Sequence, residues 1–236
     1  MKEIEQKESG TGIMRNRFPG YTWVCLGIII GFLILVYYGG KIATSHRMLH
    51  VLTGPLDDKI PFIPAWVTVY CSAYLIWIFS AVWILSESRE FAYRTTAEVV
   101  FALLASGIVF IAWPGVLVRP EVFGNGFFDE WVRQIYRLDT PTNLCPSLHV
   151  LLSYFCWRKM TECKRIRKWI QASSFGYLIL ICLSVLFIKQ HALVDIPAAI
   201  LIGEFFCQAG KKWEMGQVLC RMEKAENYLR IRDMKC

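Results

Sequence analysis

Apolar residues in this chain come in long uncharged runs separated by short charged segments. The runs occupy residues 18–40, 60–86, 99–118, 140–157, 169–188 and 190–203, the last interrupted only by Asp195. A helix needs about 20 residues to cross the ~30 Å hydrocarbon layer of a bilayer. Four of the runs reach that length and two fall a little short. Backbone groups in lipid must be satisfied within their own segment, so each run is expected to be a helix. The pattern predicts an all-α, polytopic bundle of six transmembrane helices. It divides the chain into a cytoplasmic segment over 1–20, a membrane domain over 21–210 and an amphipathic tail over 211–236.

Composition agrees and narrows the class. Apolar residues make up 55% of the 236 and charged residues 19%, with a mean hydropathy of +0.39. A soluble domain carries roughly 25% charge, and disordered chains are far less apolar and aromatic. The first run follows Arg15 and Arg17 but is longer than a signal-peptide core and lacks a clear cleavage site, so it is expected to be retained. Nine cysteines lie scattered with no C-x-x-C pair. Only Cys145 falls on the outer side in this topology, so no outer disulfide is expected.

Charge then sets the orientation. Of the 26 Lys and Arg residues, the six-span arrangement leaves only Lys41, Arg47, Lys59, Arg119, Arg133, Arg137 and Lys189 on one side. The rest share the side of both termini, among them Lys2, Lys7, Arg158, Lys159 and Lys235. The positive-inside rule puts that side in the cytoplasm. The net charge of +7 is therefore explained by topology and contact with anionic membrane lipids, and nucleic acid need not be invoked. The plasma membrane is the expected location.

Two further stripes look interfacial. Phe127, Phe128, Trp131, Ile135 and Tyr136 repeat at helical spacing opposite Asp129, Glu130 and Arg133, as in a helix lying in the outer headgroup layer. It would cap the bundle by packing or act as a lid over a lipid headgroup. Met215, Val218, Leu219, Met222 and Leu229 form a similar stripe in the basic tail, placed on the cytoplasmic leaflet. His46 and His50 also read as interfacial.

Polar groups at the edges of spans carry the chemistry, because ionisable residues there are costly. Arg119-Pro120 is placed at the end of the third span, Pro146-Ser147-Leu148-His149 at the start of the fourth, Lys189-Gln190-His191 at the end of the fifth, and Asp195 in the first turn of the sixth. All fall at the outer boundary. His191 and Asp195, four apart, would share a helix face, with the carboxylate fixing one ring nitrogen and leaving the other basic. Pro146 suits the first position of a helix, whose amides form an anion site. Ser147 would add a hydroxyl, and Arg119 and Lys189 fixed positive charge. Singly, each has a plainer reading: a headgroup-level histidine, a capping aspartate, a snorkelling arginine. Jointly, on one side and at four helix ends, they describe a phosphate pocket. Two His and one Asp also make a metal-ligand set, against which the neighbouring cations argue.

In these motifs the chain resembles the type 2 phosphatidic acid phosphatase superfamily, integral membrane enzymes with an Arg-Pro, a Pro-Ser-x-His and a His-x-x-x-Asp motif in this order. The stretches 136–149 and 56–62 are also similar, and the resemblance runs from about 56 to 203. It implies a phosphatase of lipid phosphate or pyrophosphate that needs neither metal nor cofactor. His191 would be the nucleophile forming a phosphohistidine, Asp195 its orienter, and His149 the acid and then the base. Arg119, Ser147, Lys189 and the amides around Leu148 would hold the phosphate. Two family cations are replaced here by Ala112 and Val185, with Lys189 and either Arg133 or Arg137 as candidates to substitute. The Pro-Ser-Leu-His and Lys-Gln-His forms look closer to the branch near inositol phosphorylceramide synthase, which implies a phosphotransferase with an alcohol acceptor as the alternative. A non-catalytic lipid-binding protein of the same fold is the third reading.

Overall fold

The computed structural model describes residues 18–233. Lys2, Lys7, Arg15, Arg17 and Lys235 lie outside the described residues, as do the side chains of Leu229, Arg230 and Arg232 in the tail stripe. In chain order the elements are α1 (Gly20–Thr44), β1 (His50–Val51), the single turn α2 (Pro55–Asp58), a 3₁₀ turn (Pro64–Trp66) running into α3 (Val67–Leu85), and α4 (Arg89–Ala112). There follow β2 (Gly115–Val116), α5 (Phe127–Leu138), α6 (Leu148–Glu162), α7 (Lys168–Phe187), α8 (Asp195–Lys212) and α9 (Met215–Asp233).

The described chain is mostly helical, and four helices are long and apolar enough to cross a membrane: Gly20–Thr44, Pro64–Leu85, Arg89–Ala112 and Lys168–Phe187. That is compatible with a multi-pass membrane protein. Their outward faces are apolar, with Leu35, Leu75, Phe79 and Ile108 all well exposed. A water-soluble helix would put polar residues there. α6 has 15 residues, about 22 Å at 1.5 Å per residue. α8 has 18, including Asp195, Glu204, Lys211 and Lys212.

α6 forms the centre. Every residue from Leu148 to Phe155 is buried, and it packs against α3, α4, α7 and α8. Its first half, uncharged apart from His149, is stable as a helix when surrounded in this way. Close approach of α8 needs Gly203, where a Cβ would stand 2.7 Å from the Tyr154 ring. α1 lies against α4 with Val36 packed at Gly107.

The structure corrects several expected boundaries. The third run was expected to start at 99, but α4 starts at Arg89, with Ser88 as N-cap accepting from the Phe91 amide at 3.2 Å. Hydropathy alone breaks the helix at Glu90, Arg94 and Glu98. Arg94 is neutralised by Glu162 at 2.6 Å and Glu98 by Lys159. Lys159, assigned above to a cytoplasmic loop, is fully buried within α6. The same helix also ends early: Pro114 stops α4 at Ala112, so Arg119 stands beyond the helix and not at its end. The fourth run is helical only from Leu148, because Pro141 and Pro146 hold the chain outside the helical region up to Ser147.

Three loops at the same end of the bundle are tied together by short strand pairing. His50 and Val51 pair in parallel with Gly115 and Val116, and Val116 bridges to Thr142. His50 also stacks on Trp113, ring centroids 4.3 Å apart. α5 caps the bundle by packing: Val132, absent from the expected stripe, is fully buried, and Trp131, Ile135 and Tyr136 lie against the core. Phe127 remains 72% exposed. α9 docks on the start of α4 through Gly216, against the Glu90 carbonyl, and through an Arg89–Glu223 ion pair at 2.8 Å. Its apolar stripe, Val218, Leu219 and Met222, faces away from the bundle.

Candidate active site

The start of α6 builds one wall. Ser147 is the N-cap, its hydroxyl accepting from the Val150 amide at 3.4 Å, and Pro146 lies outside the helix. Pro146 is therefore not at the first helical position: Ser147 is the cap, which makes Leu148 the first helical residue. Two residues into the helix, His149 is 9% exposed. Its ring stacks on Tyr70, centroids 4.0 Å apart, and is flanked by Trp77 at 5.0 Å and Tyr74 at 5.4 Å. Its Nε2 has no hydrogen-bond partner among the described residues.

The start of α8 builds the second wall. His191 does not share a helix with Asp195, contrary to the spacing argument; it sits in the turn before α8, whose first residue is Asp195. The pair forms all the same, because a carboxylate in the first turn can reach back over the helix start. Asp195 Oδ2 is 3.1 Å from His191 Nδ1 and accepts from the Ala192 amide at 2.9 Å. Asp195 is fully buried. Holding Nδ1 in this way keeps the proton there and leaves Nε2 as the basic nitrogen. The Ser147 amide donates to the Asp195 carbonyl at 3.3 Å, which joins the two helix starts.

Arg119 arrives from the loop after β2. It donates to the Asp139 carbonyl at 2.5 Å, to the Tyr136 carbonyl at 3.3 Å and to the Gln190 side chain, with its guanidinium 4.5 Å over the Tyr136 ring. Burial pulls it below the ordinary arginine range and the nearby Asp139 pushes back. An arginine remains charged through such a change. Asp139 itself accepts from Tyr37 and, at 3.4 Å, from Tyr70. Tyr136, whose hydroxyl donates to the Ile188 carbonyl at 2.7 Å, is pushed above the ordinary tyrosine range by burial. The Cys145 thiol, beside Asp195, is pushed up to about 11, first by burial and then by the carboxylate.

These groups share one cavity of about 400 Å³, lined by His149, His191, Arg119, Gln190, Asp139 and Leu148, with Tyr37, Tyr70, Tyr74 and Trp77 on the remaining wall. Among the expected residues, His149, His191, Arg119 and Leu148 therefore meet, with Asp195 behind His191. Ser147 is spent on capping and does not line the cavity. Lys189 turns elsewhere: it adopts a φ of 50° and donates to the Asp57 carbonyl at 2.7 Å. It lines a second, more polar cavity of about 440 Å³ with Thr53 and Asp58, which also touches His191 and Arg119. Arg133 does not substitute for a missing cation, since it binds Glu130 and the Val122 and Gly124 carbonyls, and Arg137 lies exposed. Val185 is buried, its carbonyl accepting from the Gln190 and His191 amides.

Sequence reasoning missed Gln190, Asp139 and the tyrosine wall as site components, and Asp57 as a clamp. Asp57 accepts from the Gly54 amide at 2.8 Å and the Leu193 amide at 2.7 Å, so it fixes the turn that carries His191. Gln190 lies between Lys189 and His191 in the Lys-Gln-His form. The tyrosines sit where an aromatic belt would also place them, so spacing could not single them out. Among the described residues, no group of three or more His, Cys, Asp or Glu is placed to hold a metal ion. The chain matches no protein-family model, no curated protein and no solved structure.

Proposed function

We propose that this chain is a metal-independent membrane phosphatase that hydrolyses a lipid phosphate or pyrophosphate through a phosphohistidine, as its resemblance to the type 2 phosphatidic acid phosphatases implies. The reading includes α6 and α8 as the two further spans, both termini in the cytoplasm and the site at the outer face of the plasma membrane. The observation that carries it is the pairing of two imidazoles on one cavity beside a guanidinium. His191 is held through Nδ1 by Asp195 at 3.1 Å, and His149 presents an unpartnered Nε2.

In the first step His191 Nε2 bonds to phosphorus as the bond to the leaving oxygen breaks, and protonated His149 gives that oxygen its proton. In the second step His149 takes a proton from water, the water oxygen bonds to phosphorus and the phosphorus–nitrogen bond breaks. Arg119 meets the charge that develops on the phosphoryl oxygens, as preorganised donors do in phosphoryl transfer. Its Nε, free of any partner among the described residues, leaves a donor for that purpose.

Purified protein is expected to release phosphate from a lipid phosphate in the presence of EDTA and to be blocked by vanadate. Activity that survives His191→Ala would exclude the mechanism. The second, polar cavity beside His191 favours one alternative, a phosphotransferase in which an alcohol reaches the phosphohistidine from the Thr53 and Asp58 side. Added inositol or diacylglycerol would then be recovered as its phosphate monoester in place of inorganic phosphate, or as a phosphodiester where the donor lipid leaves its phospho-headgroup on His191.

A further inference from the structure

The cavity holding the two histidines does not end at the aromatic wall. A groove of about 250 Å³ continues from it, sharing Leu33, Tyr74, Trp77 and Leu152 with the first cavity. It runs between α1 and α3 with α6 as its back. Its lining is apolar almost throughout, and Ile30 and Ile78 rim it on the outward surface of two helices long enough to cross a membrane. Along α3 it extends from Tyr74 to Leu85, about 16 Å at the helical rise. That is close to half of the ~30 Å hydrocarbon layer, and it takes the groove from the level of the site to the last residue of α3. At the far end it meets Lys159, which is fully buried and ion-paired to Glu98.

We propose that this groove holds one hydrocarbon chain of the substrate, with its phosphate at His149 and His191 and its far end stopped by the Lys159–Glu98 pair. The proposal rests on the phosphatase reading and adds to it the substrate class: a phosphate ester whose chain is measured by the protein. Three observations favour a chain of the substrate as occupant. The groove is continuous with the site, it opens sideways on an apolar surface, and it is closed below by a charge pair that hydrocarbon does not displace. An apolar slot ending on buried charge acts as a ruler, because each methylene beyond the floor must be expelled from it.

The test uses full-length protein in vesicles and a palmitoyl glycerol phosphate bearing a diazirine near the chain end. Illumination is expected to label the groove faces of 78–85 and 152–159, with equal labelling in His191→Ala. Ala81→Phe, which fills the groove away from the site, is expected to reduce that labelling about tenfold, a range typical of apolar-pocket discrimination. The rim substitution Ile78→Trp provides a second variant should the first not fold. In turnover, either variant lowers kcat/KM for the palmitoyl substrate and spares the octanoyl one. Labelling centred on Leu201 and Phe205, or unchanged by both variants, overturns the groove. Absence of turnover in the unaltered protein overturns the phosphatase reading instead, and the labelling pattern still decides the groove.

Discussion

Around Glu98 and Lys159 every buried charge meets an opposite one; around His149 and His191 several polar atoms meet none. In the first region Lys159 pairs with Glu98 and Glu162, Arg94 with Glu162 at 2.6 Å, Arg158 with Glu162 at 2.9 Å and with Glu204 at 3.1 Å, and Lys211 with Glu162 at 3.0 Å. In the second, His149 Nε2, Arg119 Nε, Gln190 Nε2 and Asp195 Oδ1 lack hydrogen-bond partners among the described residues; Arg94 Nε, Lys159 Nζ and both Glu98 carboxylate oxygens in the first also make no hydrogen bond, but each of them faces opposite charge within 4 Å. About ten residues of α6, roughly 15 Å, separate the two. An unsatisfied buried polar group costs about 1–3 kcal/mol. That several such atoms lie on or beside one cavity, with no charge opposite them, supports the proposal that something enters there. The paired cluster joins α4, α6 and α8, and under the proposed function the unpaired one receives the phosphate.

If that division is correct, substitutions should separate cleanly by region. His191→Ala is expected to lower phosphate release at least about 10³-fold, as loss of a nucleophile does, with a smaller fall in the unfolding midpoint than Glu98→Ala because Asp195 keeps the Ala192 amide. Next in size, Glu98→Ala should destabilise the fold by about 3–5 kcal/mol, because Lys159 is left buried and uncompensated. Replacing both partners, Glu98→Leu with Lys159→Met, should restore the unfolding midpoint without loss of turnover per folded molecule. Arg119→Ala is expected to cost about 10²–10³ in kcat, the scale for one transition-state donor. The smallest effect belongs to Ser147→Ala, about 1 kcal/mol in unfolding and little in kcat, since its hydroxyl caps α6. A kcat loss for Ser147→Ala as large as that for Arg119→Ala would break the assignment of Ser147 to capping.

The division also explains what could be read from the chain beforehand. Uncharged runs are visible at any span that contacts lipid, and α1, α3 and α7 stand close to where they were expected. α4 and α6 were cut short because hydropathy counts Arg94, Glu98 and Lys159 as loop residues. Whether charges cancel inside a bundle depends on partners many residues away, such as Glu98 and Lys159. The histidines and Arg119 were legible because ionisable groups at the ends of apolar runs have few plain explanations. Their supports were not: Asp57 clamps the His191 turn from more than a hundred residues upstream, and Asp139 anchors Tyr37, neither of which leaves a spacing signal. Lys189 shows another limit: its place in the chain is visible, but its side chain turns to the Asp57 carbonyl and lines the second cavity, which no spacing signals.

Rapid quenching of the protein with a lipid phosphate carrying labelled phosphorus, followed by peptide mapping under alkaline conditions, tests the central claim most directly. The account expects acid-labile label on His191, accumulating in His149→Ala when a good leaving group is supplied, and none in His191→Ala. Turnover without label on His191, or the same label persisting in His191→Ala, would contradict it.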